Sequence, residues 1–381
     1  TILVVGDLFT LAPCIAKAVL HARYDRRPNL LGVLGSTTTR TAWFGKPRLR
    51  CHPGRESAAL ALMLRLARDG GGGRDAAWSE RAGRSLDPYD LEDVAAFAGL
   101  DLDTLRWLVD SLREQKRTGI VVSAGFGETE RPDLVAGLAS LLAEATDSRF
   151  LPMMTGPNTV GVQRVLDAAG YPARTAFTLP EMIEAAVTGD MKALVLFGCD
   201  PLASLPGGLP HDAAEKLELL VASGPLPGDT TEQADVVLPS QAWGETDGTV
   251  TNAFGADARL EAVLPPPGLA QSDGASIDAL IRRIRPRPGA HPEDPTDGAR
   301  PGKARSFFGE LDLHFRLERR EAGAHEVGTH LLLPVFQASQ AGDGWLTREL
   351  SWPRYAAAGP ELVISPAHAE AIGATAGTRL R

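Results

Sequence analysis

Cysteine is scarce in this chain: Cys14, Cys51 and Cys199 are the three in 381 residues. They stand far apart with no Cys-x-x-Cys spacing, which excludes a zinc or iron–sulfur framework built by this chain alone. Cys14 and Cys199 adjoin apolar runs and are expected to be small buried side chains. Long apolar runs are also missing. No stretch approaches the roughly 18 residues of a membrane span and no basic-then-apolar leader opens the sequence, so a cytoplasmic protein is expected. Nor is there an excess of basic charge. The formal net charge of −9 argues against nucleic acid as the main partner, because phosphate binding needs a concentrated basic face. Gly-x-Ser-x-Gly is absent, the one close histidine pair, His325 and His330, has the wrong spacing for a helical zinc face, and no carboxylate pair stands in an apolar setting. No catalytic residue and no metal ligand can be named.

What is present is a repeated strand-and-loop pattern. The apolar run Ala193–Phe197 breaks into Gly198-Cys-Asp-Pro201, as a buried parallel strand reads when it ends in a tight loop. Near the start, Thr1–Val5 breaks in the same way into Gly6-Asp7. Each is followed by a proline, a helix-like stretch, a second strand and a threonine-rich turn. The spacing predicts two α/β halves with ligand-facing loops at the carboxyl ends of their strands.

Between these runs the chain reads as helices at 13–24, 54–68 and 132–145, strands at 30–34 and 119–123, and Asp90 and Asp103 as helix N-caps with Gly99 ending the first of those two helices. Gly70–Gly73 reads as a mobile surface loop. Asn158 precedes a helix that runs to Ala169, and an asparagine there can cap it. The predicted divisions are 1–118, a first α/β half with a helical insertion; 119–284, a second α/β half; 285–327, a linker rich in proline, glycine and arginine; and 328–381. In the last, His330–Phe336 and Glu361–Ser365 read as strands, with a helical turn from Pro366.

The run Ala234-Asp-Val-Val-Leu-Pro239 followed by Glu245-Thr-Asp-Gly-Thr-Val-Thr-Asn252 resembles the segment that marks molybdopterin-dependent oxidoreductases of the formate dehydrogenase type. Leu3-Val-Val-Gly-Asp7, Gly156-Pro-Asn-Thr-Val-Gly161, Gly170-Tyr-Pro172 and Asp200-Pro201 look like further family landmarks in family order. Within the superfamily the chain is most similar to the B subunit of formylmethanofuran dehydrogenase and to its relative in the bacterial formyltransferase/hydrolase complex. The fold this implies is two Rossmann-like, doubly wound halves followed by a truncated β-barrel-like segment, whose open strand edges ask for another chain.

The resemblance places the metal ligand and the cluster cysteines upstream of Thr1, and it sets an Asp-Pro pair where this chain has Gly35 and Ser36. Molybdopterin and an iron–sulfur cluster are therefore expected to be lost, leaving a vestigial groove lined by Asp7, Thr10, Asn158, Asp200, Asp247 and Asn252. The function implied is a non-catalytic subunit of a complex that moves a formyl group from a tetrahydropterin-type carrier to methylofuran and hydrolyses it to formate. Its partners would be an amidohydrolase-like hydrolase subunit, a formyltransferase subunit and a glutamate-synthase-like C subunit. Methylofuran is the expected carrier ligand. Its polyglutamate tether, also implied by resemblance, would meet Arg40, Lys46 and Arg174. Two other readings stay open: a working molybdenum or tungsten formylmethanofuran dehydrogenase subunit, and the degenerate molybdopterin-like region of an NADH dehydrogenase subunit.

Overall fold

The computed structural model describes residues 1–25, 29–73, 75–123, 132–153, 156, 158–169, 179–204, 211–252, 254–284 and 364–375. They form two units, 1–182 with 240–284, and 183–239 with 364–375. The linker, the strand His330–Phe336, most of Glu361–Ser365 and Arg174 lie outside the described residues.

The first unit is built on a five-stranded parallel sheet of β1 (Ile2–Val5), β2 (Leu31–Gly35), β3 (Arg48–Arg50), β4 (Gly119–Val122) and β5 (Arg149–Pro152), in the order β3-β2-β1-β4-β5. Its helices are α1 (Leu8–Leu11), α2 (Pro13–Asp25), α3 (Arg40–Phe44), α4 (Glu56–Asp69), α5 (Ala76–Leu86), α6 (Leu91–Ala98), α7 (Leu102–Glu114), α8 (Pro132–Ala145) and α9 (Thr159–Ala168). The sheet is covered on both faces, which is why its strands are continuous apolar runs. Leu3 and Val5 join the core around α4, while Val4 joins Leu8, Ala16 and Val19 on the other face. Within α4 the stretch Ala58–Leu64 is buried all round, as expected of a helix enclosed by α5, α6, α7 and α8. Full burial of Leu60, Met63 and Leu64 is worth about 1.5–3 kcal/mol for each side chain. β4 hydrogen-bonds beside β1 and brings β5 with it, so this sheet extends past residue 118, where the sequence reading divides the halves.

The second unit has a three-stranded parallel sheet, β6 (Ala193–Phe197), β7 (Leu219–Gly224) and β8 (Val236–Pro239), in the order β6-β7-β8. Around it run α10 (Leu179–Thr188), α11 (Pro201–Ser204), α12 (His211–Lys216) and α13 (Asp229–Gln233). The chain returns to the first unit with an antiparallel pair, β9 (Gly248–Thr251) and β10 (Asp257–Leu260), and then α14 (Asp273–Ile284). A helical turn, Pro366–Ala371, is also described.

Three local expectations change. Asp101, not Asp103, caps α7, because its carboxylate accepts both the N–H and the O–H of Thr104, at 2.8 and 2.6 Å. These bonds hold the Asp101 carboxyl below its ordinary pKa. Cys14 and Cys199 are exposed and Cys51 is buried. Gly70–Gly73 is a packed turn: Gly72 N–H donates to the Ala67 carbonyl at 2.8 Å. A Cβ on Gly72 would stand 2.3 Å from the Ala145 carbonyl oxygen and 2.7 Å from that of Ala67. Both are backbone atoms that cannot swing aside. Gly72→Ala is therefore expected to destabilise the protein by about 1–3 kcal/mol, measured by denaturant unfolding; an unchanged midpoint would show that the turn is loose.

Candidate functional site

The loops after the first strand of each unit are built alike. β1 ends at Val5, Gly6 adopts a left-handed φ of 89°, and Asp7 turns inward. β6 ends at Phe197, Gly198 has a φ of 63°, and Asp200 turns inward. A glycine suits each bend because a left-handed backbone is strained for residues bearing a Cβ. Gly6 N–H donates to Leu34 and Gly198 N–H to Ser223, each continuing the ladder with the second strand of its unit.

Each aspartate is then met by a threonine at the second residue of the helix that follows that second strand. Thr41, in α3, donates its hydroxyl to Asp7 at 2.6 Å and accepts the Phe9 N–H at 3.0 Å. Thr230, in α13, donates to Asp200 at 2.5 Å and accepts the Leu202 N–H at 3.2 Å. In both cases the N–H belongs to the residue two beyond the acid. Asp7 also accepts from Thr10 at 2.5 Å, and its carbonyl accepts from Ser123 at 3.1 Å. Asp200 also accepts the Thr230 N–H at 3.1 Å. The carboxylates are 8% and 2% exposed, and both threonines are 1% exposed. Buried carboxylates need such donors, since an uncompensated buried charge is costly.

The other expected groove residues are also engaged locally. Asn158 occupies the N-cap position of α9 without capping it; its side-chain oxygen accepts the Thr251 N–H at 2.8 Å and ties α9 to β9. Arg164 strengthens that junction through Asp257 at 3.1 Å and the Gly255 carbonyl at 2.9 Å. Asn252 closes its own turn by accepting from Phe254 and Ala256, and Asp247 accepts the Ala262 N–H at 2.8 Å. The structure thus brings Asp7 together with Thr10, and Asn158 with the β9 end next to Asn252, while Asp200 belongs to the second unit. Arg40 and Lys46 are exposed on the α3–β3 segment. Asp235, in the motif Ala234–Pro239, accepts the Leu220 N–H at 2.7 Å and pins β8 to β7. Sequence reasoning missed Thr41, Thr230 and Ser123. For Thr41 and Thr230 the signal was the matched position of a threonine after the second strand of each half; Ser123, just after β4, had none.

A further buried acid, Glu56, opens α4 beside Cys51. Burial first, and the Glu56 charge second, push the Cys51 thiol far above its ordinary pKa.

A doubly wound five-stranded parallel sheet, a second parallel sheet of three strands and glycine-hinged loops at the ends of their first strands define the class as a Rossmann-like α/β fold. The sequence matches the molybdopterin oxidoreductase family model over residues 89–283, half of the chain, and the protein belongs to that family. It is 40% identical over 114 residues to the NADPH-Fe(3+) oxidoreductase subunit alpha of Geobacter sulfurreducens, covering 30% of this chain and 14% of that protein. It is 26% identical over 319 residues to the G 2 subunit of NADH-quinone oxidoreductase from Rhizobium meliloti, covering 75% of this chain and 36% of that one. Acetylene hydratase from Pelobacter acetylenicus shares the fold at a TM-score of 0.56 and 15% identity, over 74% of this chain and 47% of its own. The chain spans well under two thirds of each relative's length.

The fold implies a pterin-held metal and an iron–sulfur cluster. Among the described residues no group of three or more His, Cys, Asp or Glu is placed to hold a metal ion, so the described side chains do not by themselves fit an iron–sulfur cluster. Such clusters need several converging cysteine thiolates.

Removing the threonine donor tests the loop assignment. Thr41→Val and Thr230→Val should each destabilise the protein by about 1–3 kcal/mol, because a buried carboxylate loses a donor, whereas the serine variants should stay near wild type. Thermal denaturation that ranks valine with serine would refute it.

Proposed function

We propose that this chain is the scaffold part of a molybdopterin-family oxidoreductase assembly and that it does not itself ligate the redox metal. The observation that carries the reading is the commitment of Asp7 and Asp200, at the strand ends where such folds present ligand-binding loops, to buried threonine hydroxyls. The unmatched donor set supports it. So does Gly35, where the resemblance sets an aspartate: a Cβ there would meet nothing within 4 Å, so packing does not forbid a side chain at that position.

In its specific form the assembly is the formyltransferase/hydrolase complex. Formyl transfer to methylofuran and hydrolysis to formate would occur on the partner subunits, with Arg40, Lys46 and Arg174 offering cations to the carrier's anionic tether. Alignment with the G 2 subunit of NADH-quinone oxidoreductase over 75% of this chain favours a second reading, the pterin-like region of an NADH dehydrogenase subunit.

Purification of the full-length protein with its partners, followed by mass identification and elemental analysis, separates these readings. The proposal expects formyltransferase and hydrolase partners and no molybdenum or tungsten in the chain. About one molybdenum or tungsten per chain would overturn the scaffold role, and NADH dehydrogenase partners would overturn the specific form in favour of the second reading.

A further inference from the structure

The chain carries a net charge of −9, yet residues 40–55 hold five arginines and lysines and no carboxylate. These residues form α3, β3 and the turns around them. On β3, Leu49 points into the core around α4, so Arg48 and Arg50 project from the opposite face of the sheet. On α3, Arg40 and Trp43 are three residues apart and share a face. The Arg48 guanidinium donates to the Trp43 carbonyl at 3.0 Å, which brings strand and helix to one corner. Arg40, Lys46, Arg48 and Arg50 are exposed, and Trp43 is 62% exposed. None of the four cations forms an ion pair among the described residues.

β3 is also an edge. Among the described residues its one neighbour is β2, so its outer side offers backbone donors and acceptors to an incoming strand. A second copy of β3 would set arginine against arginine, which disfavours self-pairing.

We propose that the β3 edge with α3 is a docking site for an acidic, extended segment of a partner protein. Side chains on one face of a strand recur every two residues, roughly 6.5–7 Å apart. Carboxylates at alternate positions of an added strand therefore face Arg48 and Arg50 at matching intervals, where each guanidinium can hold a carboxylate in bidentate fashion. Trp43 offers an apolar plate beside them. A polyphosphate backbone would meet the charge but not the strand's alternating N–H and C=O groups, so the edge selects peptide.

Fluorescence anisotropy with the whole chain tests this, using a labelled short peptide that alternates glutamate and threonine, a block isomer of the same composition, and a labelled oligothymidylate. The alternating peptide should bind in a salt-dependent manner, more tightly than either control, and Arg48→Gln with Arg50→Gln should weaken it about tenfold. Both substitutions are at exposed positions, and circular dichroism confirms folding; comparing the two isomers on the unaltered chain needs no variant. Equal binding of the isomers, tighter binding of the oligothymidylate, unchanged affinity in a folded double variant, or no binding of the alternating peptide would each overturn the proposal.

Discussion

In each unit, a carboxylate at the end of the first strand is closed by a threonine hydroxyl from the helix after the second. This bond fixes several things at once. It neutralises the cost of a buried acid, holds the N–H two residues further on, and joins two loops that the sheet alone would leave free. A hydrogen bond to a charged acceptor is worth about 1.5–3 kcal/mol, a sizeable share of a domain's net stability of about 5–15 kcal/mol. It also decides what the loops can do. Each aspartate spends part of its acceptor capacity on threonine donors inside the protein.

Most of the sheet was legible in the sequence because buried parallel strands announce themselves as apolar runs ending in glycine. α8 was equally plain, since Pro132 suits a first helical turn and apolar residues follow at helical spacing. The repeat of strand, glycine and acid was also visible. Its closure was not: a threonine-rich turn reads as solvated, and only the fold carries Thr41 to Asp7 across 34 residues of chain. The same limit explains Gly72, whose need for glycine lies in the Ala145 carbonyl opposite it, and Cys14 and Cys199, whose apolar neighbours did not bury them. The choice of Asp101 over Asp103 turned on the second donor that Thr104 supplies, which a capping pattern does not count.

The family model places this chain among the molybdopterin oxidoreductases, and among the described residues no group of three or more His, Cys, Asp or Glu is placed to hold a metal ion. In such a fold stability resides in α4 and the sheets, whereas ligands are met by the strand-end loops. Arg48 and Arg50 add a feature outside those loops, a basic edge on an acidic protein, where charge steers association and spacing selects the partner.

The central claim is that the strand-end acids and their threonine partners close the loops of each unit, and backbone hydrogen exchange at Phe9 and Leu202 tests it most directly. These amides should be protected in the wild-type protein, with Thr41→Val releasing Phe9 alone and Thr230→Val releasing Leu202 alone. Exchange of both amides at the rate of exposed backbone in the unaltered protein would contradict the account.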